Sequence, residues 1–206
     1  MGTPTFRSAV VADSDLLADL TMGEPAQETT RVAMRLFGLQ DFEAAREFLR
    51  VAWRAAENWR RSTIAELEHT PVGMLQSGGS SFRVTPSLVL SVIRGSPLTT
   101  LLRMPGRLRL QRRLVSPKPP GAYVIAEIHV APEFRGRGLG EAILAYAEED
   151  ARRGGFGEMA LHTLTTNPAQ HLYQRSGFEE VARRVDPEFE RLTGVQGNVL
   201  MIKRLQ

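Results

Sequence analysis

The chain has 206 residues, 42 % of them apolar and 24 % charged, with no cysteine and a formal charge of +3. This length and balance predict one globular domain over 1–206 with a core of its own, and the lack of cysteine excludes disulfides, thiolate nucleophiles and sulfur-bound zinc. No apolar run approaches the ~18 residues of a membrane span, and Met1–Arg7 carries no apolar targeting core, so the expected location is cytoplasmic and no metal is expected.

The charge is unevenly spread. Between Glu68 and Glu127 there is no acidic residue, whereas Arg83, Arg94, Arg103, Arg107, Arg109, Arg112, Arg113 and Lys118 all fall there. A one-signed stretch of this size suits phosphates, acidic partners, nucleic acid or an anionic surface, or is simply a solvated arginine face.

In chain order, 5–11 reads as an opening strand, with Asp13 and Ser14 placed to cap a short helix. From Glu28 to about Arg61 the period is helical, divided at Gly38; Asp41 is the second N-cap, and Phe42, Ala45, Phe48, Leu49, Ala52, Ala56 and Trp59 share one stripe. Runs 63–68 and 71–76 predict a hairpin turning at His69–Thr70. The proline-punctuated segment 82–120 fits two short amphipathic helices, near 86–94 and 97–114. A strand over 122–130 stops at Pro132, a glycine-rich turn occupies 135–140, and a helix runs to Arg153 with Glu148–Arg152 and Glu149–Arg153 at i,i+4. A strand at 158–165 leads to a short helix with Asn167 as N-cap, Pro168 at N1 and Gly177 at its C-terminal cap; strands near 179–185 and 198–204 close the chain. Strands alternating with helices make this α/β.

The turn Arg135-Gly136-Arg137-Gly138-Leu139-Gly140 lies between a strand end and a helix start. Glycines there admit close backbone approach, and the helix N-terminus offers unpaired N–H groups, so a phosphate or pyrophosphate is the expected ligand. The spacing is not G-x-G-x-x-G, more than 120 residues precede it, and no G-x-x-x-x-G-K-[ST] exists, which argues against dinucleotide and nucleoside-triphosphate folds.

The run Val130–Gly140 resembles the acyl-CoA-binding motif R/Q-x-x-G-x-G/A of the GNAT acetyltransferases. The run Asn167-Pro-Ala169-Gln-His-Leu172-Tyr173-Gln-Arg-Ser-Gly177-Phe178 is similar to that family's second motif, N-x-x-A-x-x-L-Y-x-x-x-G-F. The resemblance covers roughly 122–178 and implies the GNAT acyl-CoA N-acyltransferase fold: a mixed central sheet flanked by helices, with a helical insertion before the fourth strand. It also implies acetyl-CoA as cosubstrate and direct transfer of the acetyl group to an amine.

By the same resemblance, main-chain groups of Ile128 and Val130 meet the pantetheine arm as an added strand would. N–H groups of Arg135, Gly136, Arg137, Gly138, Leu139 and Gly140 hold the pyrophosphate, and Asn167 secures the short helix and the far side of the cofactor. Tyr173, with a phenol near ~10, is the acid for the departing thiolate, and a backbone N–H of the fourth strand stabilises the oxyanion. Three residues are candidates for the base: His162, with an imidazole that titrates near neutrality, Glu127, and less so His129, which shares a strand face with Glu127. Bulk solvent could also take the proton.

A rival reading is a non-catalytic acyl-CoA sensor or scaffold, but Tyr173 and the open glycines favour an enzyme. The arginine segment lacks the interleaved aromatics of single-strand binders, which argues against nucleic acid. The acceptor stays open, a small molecule or a peptide amine; a basic segment beside it would disfavour highly cationic acceptors. Oligomeric state is equally open, a homodimer included.

Overall fold

The computed structural model describes residues 2–24, 27–39, 41–55, 57–78, 90 and 98–206. Seven strands form one sheet in the order β1-β2-β3-β4-β5-β7-β6. They are β1 Thr5–Ser8, β2 Ser62–Leu67, β3 Thr70–Ser77, β4 Tyr123–Val130, β5 Glu158–Leu164, β6 Glu179–Val185 and β7 Gly197–Arg204. The helices are α1 Ser14–Met22, α2 Glu28–Phe37, α3 Phe42–Ala55, α4 Leu98–Leu114, α5 Leu139–Arg153, α6 Ala169–Arg175 and α7 Pro187–Thr193. Every neighbouring pair is antiparallel except β4 and β5, which run parallel. A mixed sheet flanked by helices, with α4 between β3 and β4, is the architecture expected from the sequence.

Several boundaries move for local reasons. β1 ends at Ser8, not residue 11, because the Asp13 carboxylate accepts from the Val10 N–H at 2.8 Å and the Arg7 guanidinium, winding Val11–Asp13 into a 3-10 turn. α2 ends as expected at Gly38, in left-handed conformation, and Asp41 accepts from the Ala44 N–H at 2.7 Å to start α3. α3 stops at Ala55 rather than Arg61: Glu57 adopts φ 51°, and Asn58–Arg61 form a 3-10 turn into β2. Ala45, Phe48 and Ala52 are buried on the expected stripe, joined by Trp53, while Ala56 lies outside the described residues. The hairpin turns at Glu68–His69, both at positive φ, one residue earlier than expected. The helix expected near 86–94 falls almost wholly outside the described residues, as do Arg83 and Arg94. On α5, Arg152 meets Glu148 at 2.5 Å, but Arg153 turns to Asp150 at 3.3 Å instead of Glu149.

One helix was not anticipated. α7 starts where Asp186 accepts from the N–H groups of Glu188 and Phe189, with Pro187 at its first position, and buries Phe189. Asp186–Pro187 was the available signal.

The core forms on both faces of the sheet. On one, Ile143, Leu144, Ala147 and Ala151 of α5 pack on Val72, Leu75, Tyr123, Ile125, Met159 and Leu161; each large apolar side chain buried this way contributes roughly 1.5–3 kcal/mol. Leu17 and Ala18 of α1 and Trp53 of α3 cover Ile64 and Met74 on the other. A third cluster joins Val32 and Leu36 of α2 to Leu110 and Leu114 of α4 and to Phe189. Thus the described part of the basic segment packs on the outer half of α2. There Arg113 pairs with Asp186 and Glu188.

Candidate active site

Beside α5 the sheet comes apart. β4 and β5 pair only from Tyr123 to Ile125 and from Met159 to Leu161, although β4 continues to Val130 and β5 to Leu164. A register shift against β3 marks the point: Gln76 faces Glu127 and Ser77 faces Ile125, leaving Ala126 as an extra residue. Such a bulge bends the strand and exchanges its faces. Tyr123 and Ile125 before it, and Ile128 and Val130 after it, therefore all face α5. Beyond the bulge the Ala131 N–H bonds to the Val72 carbonyl at 2.9 Å. Antiparallel alternation then turns the main-chain groups of Ile128 and Val130 away from β3, into the opening. The Val130 carbonyl accepts from Arg135 Nε at 3.2 Å. The opening widens into a cleft of about 900 Å³.

At one end of this cleft lies the glycine turn. Gly136 and Gly138 hold φ of 72° and 78°, and a Cβ on either would meet nothing within 4 Å. The conformation favours glycine, and the space above it is open. Gly140 serves differently: a Cβ there would come within 2.8 Å of Leu172 Cδ2, so its lack of a side chain lets α5 and α6 approach. The Ala142 N–H reaches back to the Gly138 carbonyl at 3.1 Å, so Leu139, Gly140 and Glu141 form the unpaired first turn of α5. These features fit a phosphate. The Arg135 N–H, expected to face the pyrophosphate, donates instead to the Pro132 carbonyl at 3.2 Å, while the Arg135 guanidinium turns to Gln27 Oε1 at 3.1 Å and to Glu24 at 3.7 Å. Arg137 rests over the Phe134 ring at 5.3 Å.

Asn167 ties the far wall together. Its side chain accepts from the Ala169 N–H at 3.0 Å and donates to Thr163 Oγ1 at 2.8 Å, fixing the start of α6 to β5. One turn on, Tyr173 is buried, packed edge-on against Phe178 at 6.1 Å. It lines the cleft, and its hydroxyl has no hydrogen-bond partner among the described residues. Burial, then the negative charge of Glu127, pushes this phenol up to about 12, above the ~10 expected.

Glu127 and His129 stand on the opposite face of β4 from Ile128 and Val130, on the side of α1, and His129 Nε2 lies 2.9 Å from Glu127 Oε2. Both line the cleft, as does His162. Burial, then the charge of Lys118, pushes His162 down to about 4, and its Nε2 is buried without a partner among the described residues. An imidazole that weakly basic is neutral across the physiological range, contrary to the expectation of a group titrating near neutrality. Three further residues, Gln27, Glu28 and Thr29, line the cleft from more than 90 positions away. Gln27 and Glu28 open α2 across the mouth, Gln27 accepting from Arg135 and Glu28 from the Thr166 hydroxyl. No local pattern marks them in the sequence.

Known proteins share this fold. Residues 28–178 match the acetyltransferase (GNAT) family. A streptothricin acetyltransferase of Streptomyces lavendulae is 42 % identical over 55 residues, 26 % of this chain and 29 % of that protein, so the matched stretch spans under a third of the curated relative. An N-acetyltransferase structure from Staphylococcus aureus Mu50 superposes with TM-score 0.64 at 15 % identity, covering 96 % of this chain and 99 % of the other. The PaiA N-acetyltransferase of Thermoplasma acidophilum, solved in complex with coenzyme A, superposes with TM-score 0.57 at 12 % identity over the whole of both chains. With the family match spanning most of its length, from α2 through the parted strands to the end of α6, the chain belongs to the GNAT acetyltransferase family.

Proposed function

We propose that this protein is a single-domain, cytoplasmic acetyltransferase that moves an acetyl group from acetyl-CoA directly to a primary amine. The observation that carries the reading is the parting of β4 and β5 after three paired residues, with the glycine turn at one end and the Tyr173 hydroxyl inside. Acetyl-CoA supplies the activated acyl group.

The residues divide the work by position. Main-chain groups of Ile128 and Val130 offer an extended ligand the pairing that β5 withholds. The Val130 carbonyl already accepts from Arg135 Nε and has a second lone pair for the ligand. Gly136 to Gly140 and the first turn of α5 receive the pyrophosphate, supported by open space above Gly136 and Gly138. Asn167 keeps α6, and with it Tyr173, in place. A backbone N–H of β4 in the opening stabilises negative charge developing on the acetyl oxygen.

Tyr173 holds the proton that the thiolate needs. A phenol pushed up to about 12 is fully protonated at working pH, and a thiolate leaving in the same buried space is itself made more basic by desolvation. For the amine proton we assign Glu127, a partly exposed carboxylate in the cleft that His129 orients. His162, which burial and then the charge of Lys118 push down to about 4, is the weaker base of the two.

Acetyl-CoA binding by calorimetry tests the reading, followed by an acceptor screen that includes streptothricin, the substrate named by the Streptomyces relative. Folded protein that does not bind acetyl-CoA would refute it.

A further inference from the structure

Most carboxylates in this protein that are withdrawn from solvent have a cation beside them. Asp13 and Glu66 meet Arg7, Asp19 meets Arg46, Glu148 meets Lys203 and Asp186 meets Arg113. Asp15, Asp150 and Glu158 also pair with arginines. Among the described residues, two half-buried carboxylates have neither a lysine nor an arginine: Glu28 and Glu127. Both line the cleft. Glu28 receives one hydroxyl bond, from Thr166, and Glu127 one bond to His129. Holding a carboxylate partly out of water without a counter-ion is costly, and the cost falls when a cation arrives.

The rest of the cleft sharpens this pattern. Its lining cations are Arg135, whose guanidinium reaches from the glycine turn to Gln27 and Glu24, and Arg175, which already pairs with Glu141. Away from the glycine turn the remaining ionisable lining groups are His129, His162 and Tyr173, whose hydroxyl has no hydrogen-bond partner among the described residues. The described basic helix α4 packs on the outer half of α2, through Leu110 and Leu114 against Val32 and Leu36, and not at the mouth where Glu28 stands. The basic segment does reach the β5 wall of the cleft, where the charge of Lys118 bears on His162 and Leu164 packs against the Leu110–Leu114 cluster, so a second cation finds its carboxylate on the α2 side, at Glu28.

We infer that the acceptor carries a second positive charge besides the amine that is acetylated: the reacting amine faces Glu127, and Glu28 pairs with the additional cationic group. Glu28 is thus a specificity-determining residue. The inference rests on the cleft being the acceptor site of an acetyltransferase, and names the class of molecule it takes.

Three amines of one chain length isolate the charge: 1,5-diaminopentane, 1-aminopentane and 5-aminopentanoate. Each is titrated calorimetrically into protein saturated with CoA, so the result does not depend on turnover, and acetyl transfer is followed separately by CoA release. The diamine is expected to bind at least tenfold more tightly than the monoamine, and the amino acid more weakly than either, with the differences shrinking as salt is raised. In Glu28→Gln, an isosteric change that keeps the acceptor for Thr166, the ratio of diamine to monoamine affinity is expected to fall several-fold toward one. Equal affinities for diamine and monoamine in the wild type, or a ratio unchanged in Glu28→Gln, would overturn the inference while leaving acetyl transfer intact. Failure to bind CoA at all would refute the acetyltransferase reading itself, and the inference with it.

Discussion

Two substitutions at Gly138 separate the backbone demand of the glycine turn from its role as an anion site. The residue sits at φ 78°, and an added Cβ meets no atom within 4 Å. Alanine there costs about 1 kcal/mol of left-handed strain and nothing in packing. For a domain of this size that is a fall of about 2–4 °C in Tm. Aspartate incurs a similar or smaller strain, since its side chain tolerates the left-handed region. The two variants differ in what they present to the cleft. A carboxylate about 5 Å from one phosphate charge, at an effective dielectric constant of about 20, is repelled by roughly 3 kcal/mol, or about two-hundredfold in Kd. Calorimetric titration with acetyl-CoA and thermal unfolding of Gly138→Ala and Gly138→Asp read the two effects independently. The expected result is two proteins of similar Tm, of which the aspartate variant alone has lost about two orders of magnitude in affinity. If both variants lose affinity equally, geometry and not charge governs the turn. If neither does, the pyrophosphate lies elsewhere and the assignment of 135–140 fails.

Tyr173→Phe should lower kcat by about a hundredfold or more while acetyl-CoA still binds; because burial pushes this phenol up to about 12, wild-type kcat should show no loss from this group up to pH 10. A falling limb near pH 10 that vanishes in the variant would contradict that assignment. His162 is pushed down to about 4 in the fold, so between the ordinary ~6.5 and 4 the unfolded chain binds a proton that the folded chain refuses. Stability is thus full above about pH 6.5 and falls as the solution is acidified toward 4, by up to roughly 2–3 kcal/mol for a wholly buried ring and less for this partly exposed one. Urea midpoints at pH 7 and pH 4.5 should therefore differ less in His162→Asn than in the wild type. Asn167→Ala removes the bonds to the Ala169 N–H and to Thr163. It should cost about 1 kcal/mol of stability, and kcat should fall further than that loss of folded protein explains, because α6 carries Tyr173.

What could be read from the chain beforehand was whatever leaves a local trace. The two glycine-bearing motifs are contiguous, and both landed on the cleft. The bulge at Ala126 also leaves a trace: apolar positions shift from odd (Tyr123, Ile125) to even (Ile128, Val130) across it, as they must if one face is to stay buried. Gln27 and Glu28 reach the cleft only because α2 is carried across the sheet, and a contact spanning more than a hundred residues imposes no periodicity on either partner. The displaced titration of His162 and Tyr173 was equally hidden, since it comes from burial and from Lys118 and Glu127, which neighbour them in space alone. Trp53 and Trp59 look alike in sequence, yet the first is buried at 4 % exposure and the second is only partly covered, because the helix ends between them.

The short seam between β4 and β5 has a consequence for how the protein survives in a crowded solution. Open strand edges recruit other strands, and most sheets confine that hazard to their two outer margins. Here a second pair of edges lies in the middle of the sheet, with the main chain of Ile128 and Val130 turned into the gap. Walls of α5 and α6 stand on one side, and the start of α2 spans the mouth, clasped by Arg135 and Thr166. An exposed strand from another molecule cannot simply lie alongside; only a chain that threads the mouth can complete the ladder. The protein thereby keeps the adhesive chemistry of a strand edge available for one slender guest while denying it to aggregation.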